Sequence, residues 1–353
     1  MPHRAPRPTL RDVATRAGVS AALASYALNG TGRVAAETVE RVMAAARELD
    51  YQADARARSL RTGRSSVYGV VIRNMRNPFF LNVLRGMETL ADQHGASLLI
   101  VNSGYDPYRE AAALRRLTSE GVGGIAVAPI GRSGPLAEWA ATHEGLPIVA
   151  FNRTPDASDL ANPVRVPTVG PDDKEAIRLA LEHLLDRGHR SATLVAAPSE
   201  LAADWGRERE FLSLCREWGL RGTIMRCPLD QTKVSQAAAE AIDATRAPAF
   251  IVNSDYLGAA IYDAARSRGL RVGEDVSVVG HDDLTTSALL EPGLTTIAFD
   301  QERLGTEVMA MLLDGTRHRE DVLLPVELTV RGSVADLRSM AGPATQRRQG
   351  QFR

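Results

Sequence analysis

Several residues in this chain combine side-chain type and position in a way that suits ligand binding. Asn152 and Arg153 end the apolar run PIVAFN, and His281 and Asp282 end the run VSVVG. An amide, a guanidinium and a carboxylate therefore stand where buried strands would give out. Arg207 opens the segment RERE ahead of Phe211. Its guanidinium fork suits vicinal hydroxyls or a carboxylate. The Asp282 carboxylate can accept two hydroxyl protons, and the Asn152 amide both donates and accepts. Ser254 and Asp255 follow the run AFIVN. Phe79 and Phe80 come just after VYGVVI, where they suit stacking on a sugar or base ring and equally suit a plain core. Trp205 is either a stacking platform or a surface anchor. Asp282, Asp283, His281 and Arg207 can be drawn as an acid–base set. However, no metal-ligand spacing, nucleophile elbow or phosphate loop accompanies them. Gly121, Gly123 and Gly124 precede a strand instead of joining strand to helix, so they are not a dinucleotide fingerprint. The sequence calls for no cofactor and reads as a binding protein, not an enzyme.

A different chemistry lies at the other end of the chain. Net charge is -1, but residues 1–66 hold 11 Arg against 6 Asp and Glu, a balance of +5, and the rest carries −6. A basic end on an acidic body suits a polyanion at that end only. Four of the arginines, Arg56, Arg58, Arg61 and Arg64, crowd into the stretch DARARSLRTGRSS with few large apolar residues.

The elements that must position these groups follow from periodicity. In Thr9–Asn29, Thr9 suits a helix cap with Asp12 in the first turn. Leu10, Val13, Ala14 and Ala17 then share one face. Gly18 permits the turn, and Ser20 caps a second helix with Leu23, Ala24, Ala27 and Leu28 inward. This is a helix-turn-helix, whose second helix lies in the DNA major groove, or an ordinary helical hairpin. A third helix over Val34–Tyr51, with Val39, Val42, Met43, Ala46 and Leu49 inward, closes a small core. From Val67 short apolar runs (VYGVVI, ASLLIVN, GGIAVAP, PIVAFN, SATLVAA, AFIVN, VSVVG) alternate with amphipathic helical segments. That alternation predicts parallel sheets covered on both faces by helices.

The motifs LRDVATRAGVS, LNG, RV, ETVERV, LDY and ARARSLRTGRS, running into NPFF, resemble in order and spacing the headpiece and hinge of the lactose-repressor (LacI/GalR) family of bacterial transcription regulators. The resemblance continues through nearly the whole chain. It implies a multidomain protein: an all-α helix-turn-helix headpiece, 1–53; a hinge, 54–66; a periplasmic-binding-protein-like α/β effector and dimerisation domain, 67–338; and a loose tail, 339–353. It further implies two parallel-sheet subdomains, about 67–167 with 299–328 and about 168–298 with 329–338, joined by three crossovers.

What the resemblance implies for function is a dimeric, sequence-specific regulator, a repressor, that binds double-stranded operator DNA. A small effector, a sugar or sugar derivative with a purine-type ligand as the other candidate, would sit in the cleft between subdomains. The residues it brings to DNA are Thr9, Ser20, Ala21, Ala22, Ser25, Tyr26, Asn29 and Arg33. In the hinge, Ala57 and Leu60 match, with Asp54–Leu60 helical only on DNA and Leu60 wedged into the minor groove. The implied effector residues are Phe79, Phe80, Asn152, Arg153, Trp205, Arg207, Asp255 and Asp282.

The chain departs from the family pattern in places. Leu23-Ala24-Ser25-Tyr26 stands where Thr-Val-Ser-Arg is usual, which removes an arginine suited to guanine. Ala35 replaces a capping Ser, Asn152 an Asp, Glu210 a Gly, Ser254 an Asn, and His281 an aromatic residue. A transport solute-binding protein is the rival reading; it fits 67–337 and leaves 9–60 unexplained. Cys215 and Cys227 form no disulfide framework, no apolar run is long enough to cross a membrane, and MPHRAPRPTL has no signal core. A cytoplasmic location is expected.

Overall fold

The computed structural model describes residues 8–29, 32–51, 65–131, 135–143, 145–153, 165–201, 205–245, 248–315 and 320–340. The chain divides into two compact units, Met1–Ser66 and Val67–Arg353.

The first unit holds α1 (Leu10–Ala17), α2 (Ala21–Asn29) and α3 (Ala36–Glu48). Thr9 and Asp12 form a capping box: the Asp12 amide donates to the Thr9 hydroxyl at 3.3 Å and the Thr9 amide to Asp12 Oδ2 at 2.7 Å. These bonds hold the exposed Asp12 carboxyl below its ordinary pKa. Gly18 takes the left-handed conformation, φ 66°, that ends α1. The Leu23 amide donates to Ser20 Oγ at 3.2 Å, so α2 is capped as the sequence predicts. Ala35 makes no side-chain cap for α3. Val13, Ala14, Ala24, Ala27, Val42, Ala45 and Ala46 form the buried core. Met43 instead faces outward, 45% exposed; Ala45 takes the inward position, because the helix repeat carries Met43 off the Val42–Ala46 stripe.

The second unit contains two six-stranded sheets. The first is built from β1 (Val67–Ile72), β2 (Ser97–Asn102), β3 (Ile125–Val127), β4 (Ile148–Phe151), β5 (Thr168–Pro171) and β11 (Val322–Leu324), in spatial order β11-β5-β4-β3-β1-β2. The second is built from β6 (Ser191–Ala196), β7 (Arg221–Arg226), β8 (Ala249–Ile251), β9 (Ser277–His281), β10 (Thr295–Ala298) and β12 (Glu327–Thr329), in order β12-β10-β9-β8-β6-β7. All pairings are parallel except β10 with β12. The principal helices are α4 (Pro78–Gln93), α5 (Pro107–Ser119) and α6 (Pro135–Thr142), then α7 (Asp173–Asp186), α8 (Trp205–Glu217), α9 (Gln231–Ala244) and α10 (Asp255–Arg266), and finally α11 (Gln301–Asp314). Large apolar residues pack on both faces of each sheet. Parallel strands need this double cover, and their near-continuous apolar runs follow from it.

Two subdomain boundaries shift from the sequence expectation. β5 was expected in the second subdomain but pairs with β4 and β11, with Val169 opposite both Phe151 and Val322. The first crossover therefore follows Pro171. Glu327 and Leu328 in turn belong to the second sheet, opposite Ala298 and Ile297. Both strands are too short for apolar periodicity to mark their sheet.

The three crossovers run from β5 to α7, from β10 to α11, and from β11 to β12. After the second, α11 packs on α4 of the first subdomain. Here the backbones touch: a Cβ on Gly86 would overlap the Glu302 carbonyl, and one on Gly305 the Val83 carbonyl. Gly305→Ala must push two helices apart, because no side chain can yield. Overpacking of this kind costs roughly 1–3 kcal/mol. Urea unfolding of the full chain should show that loss, and an unchanged midpoint would mean that the crossing tolerates a methyl group.

Candidate functional site

The polar residues gather at the carboxyl ends of parallel strands, where open α/β sheets place their ligands. Arg73 follows β1, Asn152 and Arg153 follow β4, and Asp282 follows β9, whose last residue is His281. Arg207 enters from the first turn of α8. All six are buried, with at most 7% exposure. Asn152, Asp282 and Asp283 have positive φ, 63°, 116° and 49°. Left-handed backbone at non-glycine residues is strained and clusters at functional sites.

A hydrogen-bonded chain crosses the second subdomain. Arg207 Nε donates to Asp173 Oδ1 at 2.6 Å, and Arg207 Nη2 lies 2.8 Å from His281 Nε2. A guanidinium only donates, so His281 Nε2 must accept and its proton must sit on Nδ1. Nδ1 then donates to Asp282 Oδ1 at 3.0 Å. Burial first, and the charges of Arg207 and Arg153 next, hold the His281 pKa far below its ordinary value. The His281–Asp282 contact is thus a hydrogen bond from a neutral ring, not an ion pair. Phe299 packs beside that ring at 5.4 Å. Gln301 fixes the Asp282 backbone by donating to its carbonyl, and Asn82 of α4 donates to Gln301 Oε1 at 2.7 Å. With Oδ1 occupied, Asp282 Oδ2 is buried and has no hydrogen-bond partner among the described residues. Burial, then Asp255, raises the Asp282 pKa well above the usual carboxylate range.

On the first subdomain, Arg153 Nη1 donates to the carbonyl of Asn152 at 2.5 Å and to its Oδ1 at 3.0 Å. Arg73 Nη1 donates to the Pro129 carbonyl at 3.1 Å, and its guanidinium carbon lies 5.8 Å from the Phe80 ring centre. The charges of Arg207 and Asp282 act on both arginines, which places the two halves of the site within electrostatic reach. Glu110 of α5 also acts on Arg73. It is fully buried, it accepts from the Ile130 amide at 3.0 Å through Oε2, and burial pushes its pKa up to about 8.

The structure sorts the residues predicted from sequence. Asn152, Arg153, Arg207 and Asp282 come together. Phe79 and Phe80, each 1% exposed, are core: Phe79 packs edge-on against Phe80 at 5.1 Å, and Phe80 against Phe151 at 6.3 Å. Asp255, 3% exposed, has both of its oxygens engaged by protein donors. Oδ1 accepts from Thr296 at 2.6 Å, and Oδ2 from Ser287 at 2.5 Å and the Leu284 amide at 3.0 Å. It ties down the loop after β9, and Gly280 is required there because a Cβ would overlap Asp255 Oδ1. The Trp205 side chain lies outside the described residues. Sequence reasoning passed over Arg73 and Glu110; the signal for Arg73 was a charge placed directly after an apolar strand.

In the headpiece, Ala21, Ala22 and Arg33 are exposed and Tyr26 is 51% exposed, its ring against Gly32. Ser25 was expected on that outer face but is 7% exposed: it lies one turn before Leu28, on the flank of the core stripe. Thr9 and Ser20 act as helix caps. Asn29 ends α2; its side chain, and hinge residues 54–64 with Ala57 and Leu60 among them, lie outside the described residues.

Residues 9–54 match the bacterial regulatory proteins of the lacI family, and residues 181–334 match the periplasmic binding protein-like domain. The chain is 31% identical over 336 residues to the HTH-type transcriptional repressor PurR of Edwardsiella ictaluri, covering 93% of this chain and 97% of that one. This chain belongs to the LacI family. Among solved structures, the lac repressor dimer bound to operator and the anti-inducer ONPF superposes with a TM-score of 0.80 at 26% identity, over 94% of this chain and all of that one. The complex of the transcriptional regulator CelR with cellobiose gives 0.65 at 27% identity, over 93% and 100%. As a LacI-family member the chain is a DNA-binding transcriptional regulator with a ligand-binding effector domain. No helix among the described residues is long and apolar enough to cross a membrane.

Two measurements test the site. His281→Phe, which restores the family's usual aromatic, strands an Arg207 donor and Asp282 Oδ1; a buried polar group left unpaired costs roughly 1–3 kcal/mol. Urea unfolding should show that loss, and wild-type stability would refute the chain of bonds. Glu110 keeps its proton in the fold up to about 8, against an ordinary 4.5. The native state therefore binds the extra proton, and this residue's contribution falls as pH rises from 4.5 to 8. Glu110→Gln should remove that part of the decline; denaturation across the window would reveal a parallel curve if Glu110 were ordinary.

Proposed function

We propose that this chain is a repressor that acts as a homodimer on a roughly palindromic operator, and that a sugar or sugar derivative bound between the two sheets sets its affinity for DNA. One observation carries the reading. Buried guanidinium, amide and carboxylate groups from both sheets converge, and one carboxylate oxygen, Asp282 Oδ2, lacks a donor among the described residues. Ligand hydroxyls supply that kind of donor. Asn152, Arg153, Arg207 and Asp282 are the effector residues, with Arg73 and His281 added. Support also comes from the CelR relative solved with cellobiose and from the lac repressor dimer solved on operator.

On the DNA side, Ala21, Ala22, Tyr26 and Asn29 meet the major groove while Thr9, Ser20 and Arg33 hold the backbone. Ala57 and Leu60 act from the hinge. Small residues at the first two positions leave Tyr26 as the largest exposed group on α2, so the operator differs from those read by an arginine there. Because both subdomains contribute to the site, a ligand that prefers one closure state shifts the DNA-binding equilibrium by its differential affinity, typically about 1–3 kcal/mol. The chain works in the cytoplasm, where its DNA target lies, and catalyses no reaction.

Selection of random duplex DNA on the purified protein should enrich a palindrome, and anisotropy on that duplex should show a steep loss of affinity with salt. Leu60→Ala should weaken specific binding while leaving effector affinity intact. No enrichment with or without a mixture of sugars would overturn the reading, and an equal loss of both affinities in Leu60→Ala would remove the hinge assignment.

A further inference from the structure

The second helix of the headpiece, α2, presents a reading face without charge. Its sequence, AALASYALN, holds no charged residue, and its one amide side chain belongs to Asn29, the last position. Ala21 and Ala22 are exposed and Tyr26 is 51% exposed, whereas Ala24, Ser25 and Ala27 are buried. Ala22 and Tyr26 stand four residues apart and so share one face. The outer surface of the first two turns is therefore two methyl groups and one aromatic ring. Asn29 follows Ala22 by about 10 Å along the helix axis.

Major-groove reading has a limited chemistry. Arginine or lysine takes guanine through O6 and N7, asparagine or glutamine takes adenine through N6 and N7, and an acid accepts from cytosine N4. Ala21, Ala22 and Tyr26 carry none of these groups. The base-edge feature that an alanine methyl or an aromatic ring can single out is the C5-methyl group of thymine, an apolar contact. Tyr26 is backed by the chain: a Cβ on Gly32, which has φ 82°, would lie 3.5 Å from Tyr26 Cγ. A ring held in this way loses less conformational freedom when it meets DNA. Its apolar edge continues the surface that Ala22 begins. Arg33, also exposed, suits a phosphate, and such contacts position the helix without reading sequence.

We propose that α2 reads its operator half-site through thymine methyl groups, with Ala21, Ala22 and the Tyr26 ring as the specificity-determining residues. The base pairs that face α2 are then A·T pairs whose methyl groups point at the helix. This rests on the DNA-binding reading of the headpiece and names the chemical feature that it recognises.

Uracil differs from thymine by that methyl group alone. The group lies in the major groove, so the minor-groove edge assigned to Leu60 is unchanged by the exchange. The test uses the full chain and the duplex enriched from random DNA. Each thymine is replaced by uracil in turn, and binding is followed by anisotropy. At the positions facing α2, each lost methyl should weaken binding about three- to fivefold, the value of one buried methyl group. The salt dependence should stay the same, because no phosphate contact is touched. A G·C pair at such a position should also weaken binding, and 5-methylcytosine in that pair should recover part of the loss. Ala22→Gly should erase the preference for thymine over uracil at one position in each half-site and keep it elsewhere, a pattern that a weakened helix alone would not produce. Tyr26→Arg should move one position to guanine in a repeated selection. If uracil binds as tightly as thymine at every position, or if the enriched half-site is G·C throughout the stretch that α2 protects, the methyl inference is wrong while operator binding stands. If no duplex is enriched, the operator reading fails and this inference falls with it.

Discussion

Charge that is taken out of water between two sheets must be paired there, and much of this structure serves that requirement. Parallel sheets bury both faces, so their polar groups collect at the strand ends, where backbone turns free the side chains. Here the ends of β1, β4 and β9 carry the buried Arg73, Asn152, Arg153, His281 and Asp282, and α8 adds Arg207. The relay from Asp173 through Arg207 and His281 to Asp282 fixes one tautomer and one carboxylate orientation. A phenylalanine at position 281 could pack beside Phe299, but it could not join these two groups as donor and acceptor at once.

The same loop shows how position separates two aspartates. Asp282 keeps one oxygen without a described partner, whereas Asp255 spends both on Thr296, Ser287 and the Leu284 backbone. Burial still raises the Asp255 pKa to about 6 against those bonds. Asp255 therefore shapes the turn that carries Asp282, and Gly280 is small so that the carboxylate can lie against β9.

Coupling between cleft and DNA depends on how the sheets are joined. Three crossovers link them, and the second continues into α11, whose backbone lies on α4 at Gly86 and Gly305. Gln301, at the start of α11, holds Asp282 on one side and meets Asn82 of α4 on the other. A change at the end of β9 is thus mechanically connected to the helix pair of the first subdomain. A packed, glycine-mediated crossing deforms little, so it would transmit such a change as a rigid movement.

Sequence alone determined the headpiece, because capping residues, the Gly18 turn and the apolar stripe are local signals, and it determined the alternation of strands and helices, because period and length suffice for that. It also placed Asn152, Arg153 and Asp282 at the ends of apolar runs and Arg207 at the start of a helical segment. Tertiary structure alone decided the rest, where the deciding contacts lie far apart in the chain. β5 and β12 joined sheets that their few residues could not specify. Ser25 and Met43 exchanged expected exposures because one helix position turns the side chain by about 100°. Asp255 is held by partners from positions 284, 287 and 296, which its local sequence does not announce. Arg73 feels charges of both subdomains, Glu110 on its own and Arg207 and Asp282 on the other, and no local pattern encodes a field that arises only when two sheets fold together.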